Sequence, residues 1–132
     1  MKNILFVCIE NSCRSQMAEG FARAFGEGII EAYSAGSKPS GKVNPMAIEV
    51  MREVSIDISN NISKSFSELA VSNFDYVITM GCKDVCPIIP AYKHIEWQID
   101  DPKGKDIDFF RKVREDISQK VSELIKSVSL DN

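Results

Sequence analysis

Apolar residues follow two patterns along this chain, and together they predict strands separated by helices. Short apolar runs, which are typical of buried strands, lie at residues 4–7, 29–33, 74–80 and 94–97. Apolar positions spaced three and four apart predict helices after residue 14, after residue 44, near 66–71 and across 110–128. Because helical patterns separate most of the strands, the chain favours an α/β fold: three α/β/α layers around a four-stranded parallel sheet.

Individual residues refine this outline. In the first helix, Met17, Phe21 and Phe25 recur every four residues and are expected to face the core. Asn44 and Pro45 are typical of a helix N-cap and first helical position. The second helix then directs Ala47, Val50, Met51 and Val54 inward, and the last helix directs Phe110, Val113, Ile117, Val121, Leu124 and Val128 inward. Turn-forming residues predict loops at 34–41 and 55–64.

The stretch between the first strand and the first helix carries the clearest chemistry. Cys8 ends the strand, and Arg14 follows after five intervening residues. The amino end of a helix offers unpaired N–H groups and a positive dipole end, which favour an anion. The planar fork of arginine matches two oxygens of a tetrahedral oxyanion. The stretch therefore predicts an oxyanion-binding loop formed by Ile9, Glu10, Asn11, Ser12, Cys13 and Arg14.

Cys8 is the predicted nucleophile of this loop. A helix N-terminus and a neighbouring cation favour a thiolate over a thiol, and the thiolate is the attacking species. The hydroxyl of Ser15, directly after Arg14, is placed to donate to the Cys8 sulfur. The alternative is a buried structural cysteine and a surface arginine that fall six residues apart by chance. The strand before and the helix after favour the functional interpretation.

Length and charge narrow the classes of protein. The 132 residues suit one domain spanning 1–132, and the net charge of −3 argues against nucleic-acid and anionic-membrane partners. No run approaches the ~20 apolar residues of a membrane span, and the N-terminus lacks a signal-peptide pattern. We therefore expect a cytoplasmic protein, in which cysteines rarely form structural disulfides.

Cys82 and Cys86 follow the third predicted strand, with three residues between them. One interpretation is half of a zinc site, for which Cys8, Cys13 and His94 are the only other soft ligands. A second is a pair of inert buried cysteines. The third is a redox pair that forms a small disulfide once the loop bends. We predict that the chain has no metal site.

Asp101 stands directly before Pro102, after the fourth predicted strand. A carboxylic acid at this point can protonate a leaving oxygen, as general acid catalysis requires. The alternative is a solvated turn, which an Asp-Pro pair also favours. If the assignment of the acid to Asp101 is wrong by one residue, Asp100 is the alternative acid. Ligands of parallel sheets bind at strand carboxyl ends, where Cys8, Cys82 and Asp101 are expected to converge.

Residues 6–19 resemble the phosphate loop of the low-molecular-weight protein tyrosine phosphatase superfamily. The sequence Asn-Ser-Cys-Arg-Ser-Gln-Met-Ala-Glu at 11–19 is most similar to the arsenate reductase branch of this superfamily, since the phosphatase branch usually has proline at the position of Gln16. Ser-Ala-Gly at 34–36 and the Asp101-Pro102 pair also resemble the superfamily. The resemblance covers nearly the whole chain. It implies the superfamily fold and, as activity, reduction of arsenate to arsenite, with phosphate and sulfate as competing oxyanions.

The resemblance also implies a thiol relay. In thioredoxin-coupled members the loop cysteine forms an adduct with arsenate. By position, Cys82 would attack the Cys8 adduct, Cys86 would then attack Cys82, and thioredoxin would reduce the Cys82–Cys86 disulfide. The enzyme would need no tightly bound cofactor and is expected to be a monomer. The best-known members place more residues between the last two cysteines than the three found here, so direct reduction of a Cys8–Cys82 disulfide stays open.

Other functions and roles stay open from the sequence. The runner-up is a phosphatase working through a Cys8-phosphate intermediate, although the residues after Pro102 lack the aromatic side chains that phosphatases usually place there. A non-catalytic oxyanion or redox sensor is the third class. Some relatives bind potassium at positions matching Asn11, Glu19 and Ser34, but an acidic partner near residues 63–65 is missing. His94 is expected on a half-buried strand, and Cys13 is expected to pack under the loop.

Overall fold

The computed structural model describes residues 1–81 and 89–130, which form four β-strands and three α-helices. The strands are β1 (Lys2–Cys8), β2 (Ile30–Gly36), β3 (Phe74–Thr79) and β4 (Ala91–Glu96). The helices are α1 (Arg14–Phe25), α2 (Pro45–Arg52) and α3 (Ile107–Leu130), and a short 3-10 helix spans Phe66–Glu68. Residues 55–64 contain no helix or strand, as predicted.

The four strands form one parallel sheet in the order β2-β1-β3-β4. This confirms the predicted four-stranded parallel α/β fold. β1 is central, because the chain passes to β2 on one side of it and to β3 on the other. Cys8 pairs with Gly36, and Val7 pairs with Thr79. The carboxyl end of β1 therefore lies at the change in strand order, where sheets of this kind form their ligand sites.

One face of the sheet packs against all three helices. Their apolar stripes and the inward residues of the strands form the larger core, in which Phe6, Met17, Met51, Phe110 and Ile117 are fully buried. Each predicted inward residue of the last helix is buried. The opposite face carries a smaller cluster around Leu5, Val7 and Val77, covered by the 3-10 helix and by Leu69, Val71 and Ile89. The third layer is therefore thin.

Two residues that were predicted to face the core are exposed at helix ends. Phe25 is 44% exposed because it is the last residue of α1, where it packs on Phe21 with ring centroids 5.4 Å apart. Val54 lies beyond the end of α2 and is exposed. The second-helix start was right: Asn44 caps α2 by accepting a hydrogen bond from the Met46 backbone N–H at 2.8 Å, with Pro45 in the first position.

The predicted loop at 34–41 was also wrong in its first part, since Ser34, Ala35 and Gly36 extend β2. Their backbone pairs with the last three residues of β1, which outweighs the local turn preference of Ser-Ala-Gly. Gly36 is required there: a Cβ would lie 2.5 Å from the Ile9 carbonyl oxygen. The end of β2 thus supports the oxyanion-binding loop from below.

His94 was expected to be half-buried but is exposed on β4, which forms an edge of the sheet. A ring nitrogen of His94 lies 2.6 Å from the Ile89 carbonyl oxygen. Among the described helices, none has the length and apolar content to cross a bilayer.

An ion-pair network connects α2 to α3. The carboxylate of Glu53, at the end of α2, contacts Arg111 and Arg114, each at 2.7 Å. We call these two residues the arginine pair. Their hydrogen bonds lower the pKa of Glu53 from its ordinary value of 4.5 to about 2.

Candidate active site

A small pocket of about 70 Å³ lies where β1 ends and α1 begins. Its buried residues, which we call the floor, are Cys8, Ser12, Cys13 and Arg14. Its charged residues nearer the solvent, which we call the mouth, are the half-buried Glu10 and the exposed Asp101 and Lys103. Ile9 also lines it. The Cys8 sulfur lies 2.9 Å from the Ser15 hydroxyl, within hydrogen-bonding distance. The predicted nucleophile, its hydroxyl partner and a guanidinium therefore meet at one pocket.

Asn11 holds the loop from beneath. Its side chain is fully buried, and it donates to the Ser15 hydroxyl oxygen at 2.8 Å. Its side-chain oxygen accepts from the Lys64 backbone N–H and from Gln16, both at 2.9 Å. Asn11 also adopts the left-handed backbone conformation, with φ of 51°, which asparagine tolerates better than most residues. Its side chain thus fixes the loop rather than lining the pocket.

Gln16 joins this loop to the 55–64 segment. Its amide donates to the Asn11 carbonyl oxygen and to the Ile62 carbonyl oxygen, both at 3.2 Å. The side-chain oxygen of Gln16 accepts a hydrogen bond from the Asn61 side-chain amide at 3.1 Å. Gln16 is fully buried, so this network is shielded from water. The residue that separated the two branches in the sequence therefore has a structural role here.

The loop carbonyls bond to the surrounding segments. The carbonyl oxygens of Ile9 and Glu10 accept from the backbone N–H groups of Lys38 and Ser40, at 2.8 and 3.1 Å. The Ser63 hydroxyl also donates to the Glu10 carbonyl oxygen, at 2.7 Å. In a trans peptide the N–H points in the opposite direction to the carbonyl of the same peptide group. A loop whose carbonyls bond to the surrounding segments therefore leaves N–H groups on its other side, which suits anion binding.

Arg14 is the first residue of α1 and is nearly buried. It donates to the Ile99 carbonyl oxygen at 3.3 Å, and another nitrogen lies 3.6 Å from the Asp101 carboxylate. Gly81 lies directly against it: a Cβ there would be 2.5 Å from a guanidinium nitrogen, and Gly81 has φ of 82°. The guanidinium therefore lies between Gly81, just after β3, and the residues Ile99 and Asp101, which follow β4.

Residues 99–103, which we call the Asp101 segment, contact the oxyanion-binding loop through charged side chains. The Asp101 carboxylate accepts from the Lys103 backbone N–H at 3.1 Å, and the Lys103 ammonium lies 2.6 Å from the Glu10 carboxylate. This contact raises the pKa of Lys103. The sequence analysis missed the contact between the Glu10 and Lys103 side chains, because residues 93 positions apart give no local signal for the pair.

Cys13 precedes α1 and is buried. Burial raises the pKa of its thiol to about 12, because desolvation disfavours the charged form. Cys13 therefore stays a thiol at neutral pH, whereas a nucleophilic cysteine attacks as the thiolate. Cys13 was expected to pack under the loop; it is buried, but it also lines the pocket.

Two of the residues that match the potassium ligands of some relatives, Glu19 and Ser34, contact each other. Glu19 is buried, accepts a hydrogen bond from the Ser34 hydroxyl, and forms an ion pair with Arg23 at 2.6 Å. The Lys64 ammonium adds a further positive charge that acts on Glu19. Within residues 1–81 and 89–130, no group of three or more histidine, cysteine or acidic side chains is arranged to hold a metal ion.

The predicted site residues thus fall into two groups. Cys8, Arg14, Ser15 and Asp101 meet around the pocket, with the loop residues between them. Cys82 and Cys86 lie outside the described residues.

The sequence profile of the low molecular weight phosphotyrosine protein phosphatase family matches residues 3–132. The chain belongs to this family. Similar members include the glutaredoxin arsenate reductase of Synechocystis sp., which is 42% identical in an alignment of 132 positions that covers 98% of this chain and 100% of that protein. An arsenate reductase of Staphylococcus aureus is 47% identical in an alignment of 121 positions that covers 88% of this chain and 90% of that protein.

Solved structures of family members agree with the fold. An arsenate reductase in a phosphate-binding state superposes with a TM-score of 0.87 at 40% identity, covering 97% of this chain and 99% of that chain. A thioredoxin-dependent arsenate reductase from Corynebacterium glutamicum gives 0.82 at 31% identity, covering 100% of this chain and 64% of that longer chain.

Proposed function

We propose that this protein is an arsenate reductase that converts arsenate to arsenite with electrons from thiols. The observation that carries the proposal is the small pocket with Cys8 and Arg14 on its floor. A cavity of this size suits one tetrahedral oxyanion, and the Arg14 fork matches two of its oxygens. Family members that are 42% and 47% identical over most of the chain bear the name arsenate reductase.

The first step is attack by the Cys8 thiolate on arsenic. Ser15, 2.9 Å from the Cys8 sulfur, donates a hydrogen bond that stabilises the thiolate. An arsenate oxygen leaves as water after taking a proton. Asp101 is the proposed acid, since its carboxyl group lines the pocket beside Arg14. The product of this step is a Cys8–arsenic(V) adduct.

The second step transfers two electrons. In the proposed relay, the Cys82 thiolate attacks the Cys8 sulfur, the sulfur–arsenic bond breaks, and its electron pair leaves with arsenic as arsenite. A Cys8–Cys82 disulfide holds the two oxidised sulfurs. Support comes from Gly81, the residue before Cys82, whose backbone lies against Arg14. The proposed attacking thiol thus follows, in sequence, directly after a residue that lies against Arg14.

The last step restores the Cys8 thiol. Cys86 attacks Cys82, and thioredoxin reduces the resulting Cys82–Cys86 disulfide. A thioredoxin-dependent arsenate reductase that is 31% identical supports this electron donor. The relative from Synechocystis is named a glutaredoxin arsenate reductase, so glutaredoxin with glutathione is the alternative donor to test.

The deciding experiment is arsenate-dependent NADPH oxidation with thioredoxin and thioredoxin reductase, run beside p-nitrophenyl phosphate hydrolysis on one preparation. We expect turnover with arsenate that Cys8→Ser and Cys82→Ser abolish, while Cys82→Ser keeps its ester hydrolysis. Lys105→Met, which does not line the pocket, is the control variant and retains turnover. Brisk ester hydrolysis, with no arsenate-dependent oxidation by thioredoxin or by glutaredoxin and glutathione, would instead establish the phosphatase.

The phosphatase is the second candidate because Cys8, Arg14 and Asp101 are also the groups that phosphate ester hydrolysis requires. The family name carries the same activity. Against it stands the mouth of the pocket, which, among the residues that the structure describes, is lined by charged side chains and not by an aromatic ring. Weak hydrolysis of p-nitrophenyl phosphate is expected as a side activity.

A further inference from the structure

The pocket has a buried floor and an exposed, charged mouth. On the floor, Cys8 and Arg14 are 2% and 7% exposed. At the mouth, the side chains of Glu10, Asp101 and Lys103 are 36%, 52% and 57% exposed. These three charged groups therefore stand at the solvent side of the pocket that holds Cys8.

Glu10 and Lys103 join across this mouth. The Lys103 ammonium lies 2.6 Å from the Glu10 carboxylate, which connects the oxyanion-binding loop to the Asp101 segment. Both residues line the same pocket. Each end is anchored: Ser63 bonds to the Glu10 carbonyl, and the Lys103 backbone N–H donates to the Asp101 carboxylate. The two side chains therefore face each other from fixed backbones.

The pair is unexpected in an anion-binding pocket. An unpaired Glu10 carboxylate would repel arsenate and phosphate, so binding strength alone does not explain its presence. Lys103 cancels that charge locally. What the pair adds is an obstacle to the organic group of an ester, which has to project out through the mouth while its phosphoryl group occupies the floor.

We propose that the Glu10–Lys103 ion pair is a specificity determinant that admits bare inorganic oxyanions and disfavours phosphate esters. It deepens the proposed function, because it concerns substrate choice at the same site. A bare oxyanion reaches the floor and leaves the pair closed behind it. An aryl ester keeps the pair apart and places an apolar ring beside two separated charges, which costs desolvation free energy.

The test compares ester turnover with oxyanion affinity in the same variants. For wild type, Glu10→Gln and Lys103→Met, we would measure kcat/KM for p-nitrophenyl phosphate and the competitive Ki of inorganic phosphate. Both ligands carry the phosphoryl charge, so removing one charge from the mouth changes the affinity for both by a similar factor, and kcat/KM and Ki then move in opposite directions. Multiplying kcat/KM by Ki cancels this shift and leaves the effect of opening the mouth.

We expect this product to rise about threefold to fivefold in both variants, since an exposed ion pair contributes up to ~1 kcal/mol. Glu10→Gln and Lys103→Met should move Ki in opposite directions while moving the product together. Lys105→Met is the matched control: it removes a lysine whose ammonium lies 5.8 Å from the Phe109 ring centroid and does not line the pocket. Its product should equal that of wild type.

Three results would overturn the proposal. One is a product within twofold of wild type in both variants, and another is an equal rise in Lys105→Met. The third is ester hydrolysis that is undetectable in wild type and in both variants, because opening the mouth should admit the ester. A rise in the product in a protein that fails to reduce arsenate would instead overturn the proposed function and leave the specificity role intact.

Discussion

Replacing Asn11 tests whether a buried side chain beneath the pocket determines its geometry. Asn11→Ala removes three side-chain hydrogen bonds: one to Ser15, one from Gln16 and one from the Lys64 backbone N–H. It also places alanine at φ of 51°. The lost contacts are all on buried or partly buried groups, so water does not easily replace them.

The expected loss of stability has two parts. At about 1 kcal/mol for each net hydrogen bond, the three contacts amount to about 3 kcal/mol. The left-handed conformation costs alanine roughly another 1 kcal/mol. Asn11→Ala should therefore lower the free energy of unfolding by about 4 kcal/mol. Asn11→Gly loses the same hydrogen bonds but not the conformational term, so it should be the more stable variant.

Urea unfolding measures both variants against wild type, and the Ki of inorganic phosphate reports the pocket in the same samples. We expect Asn11→Ala to bind phosphate more weakly at concentrations of urea where it remains folded, because Ser15 and the loop lose their support. A loss below about 1 kcal/mol in Asn11→Ala would refute the hydrogen-bond argument. A glycine variant less stable than the alanine variant would refute the conformational argument.

Three further predictions follow from the site and from the α2–α3 contact. Arg14→Lys should raise the Ki of phosphate by about tenfold or more, because the two-point fork is lost; an unchanged Ki would contradict this role. Limited iodoacetamide at neutral pH should alkylate Cys8 before Cys13, whose pKa near 12 keeps it protonated; peptide mass spectrometry showing Cys13 labelled first would be inconsistent with its burial. The pKa of Glu53 is lowered by the arginine pair to about 2, so the stability that Glu53 adds is present above its ordinary pKa of 4.5 and is lost as the pH falls towards 2. Urea unfolding of wild type and Glu53→Gln should differ at neutral pH and converge in acid, and a difference that persists at pH 2 would exclude this linkage.

Local patterns were enough to predict the part of the site that is continuous in sequence. The apolar run before Cys8 and the helical pattern after Arg14 predicted a strand, a loop and a helix, which the structure confirms. The same reasoning placed Asn44 at the start of α2. These predictions succeeded because each depends on residues within a few positions of one another.

Contacts between distant segments were not predictable in this way. Ser34 to Gly36 have turn-forming character, and only pairing with β1 makes them a strand. Glu10 and Lys103 meet through the fold, and neither residue type signals a partner on the other segment. Gln16 was noted as a departure from the phosphatase pattern, but its bonds to Asn11 and Ile62 depend on how the 55–64 loop packs.

The most direct test of the central claim is a single turnover without any external reductant. Fully reduced protein would be mixed with excess arsenate, and arsenite and free thiols would be counted in the same quenched samples. The account predicts one arsenite per protein and a fall from four free thiols to two, with the missing pair recovered as a disulfide that includes Cys82. Arsenite formation that requires an added thiol while all four cysteines stay reduced would contradict the internal relay.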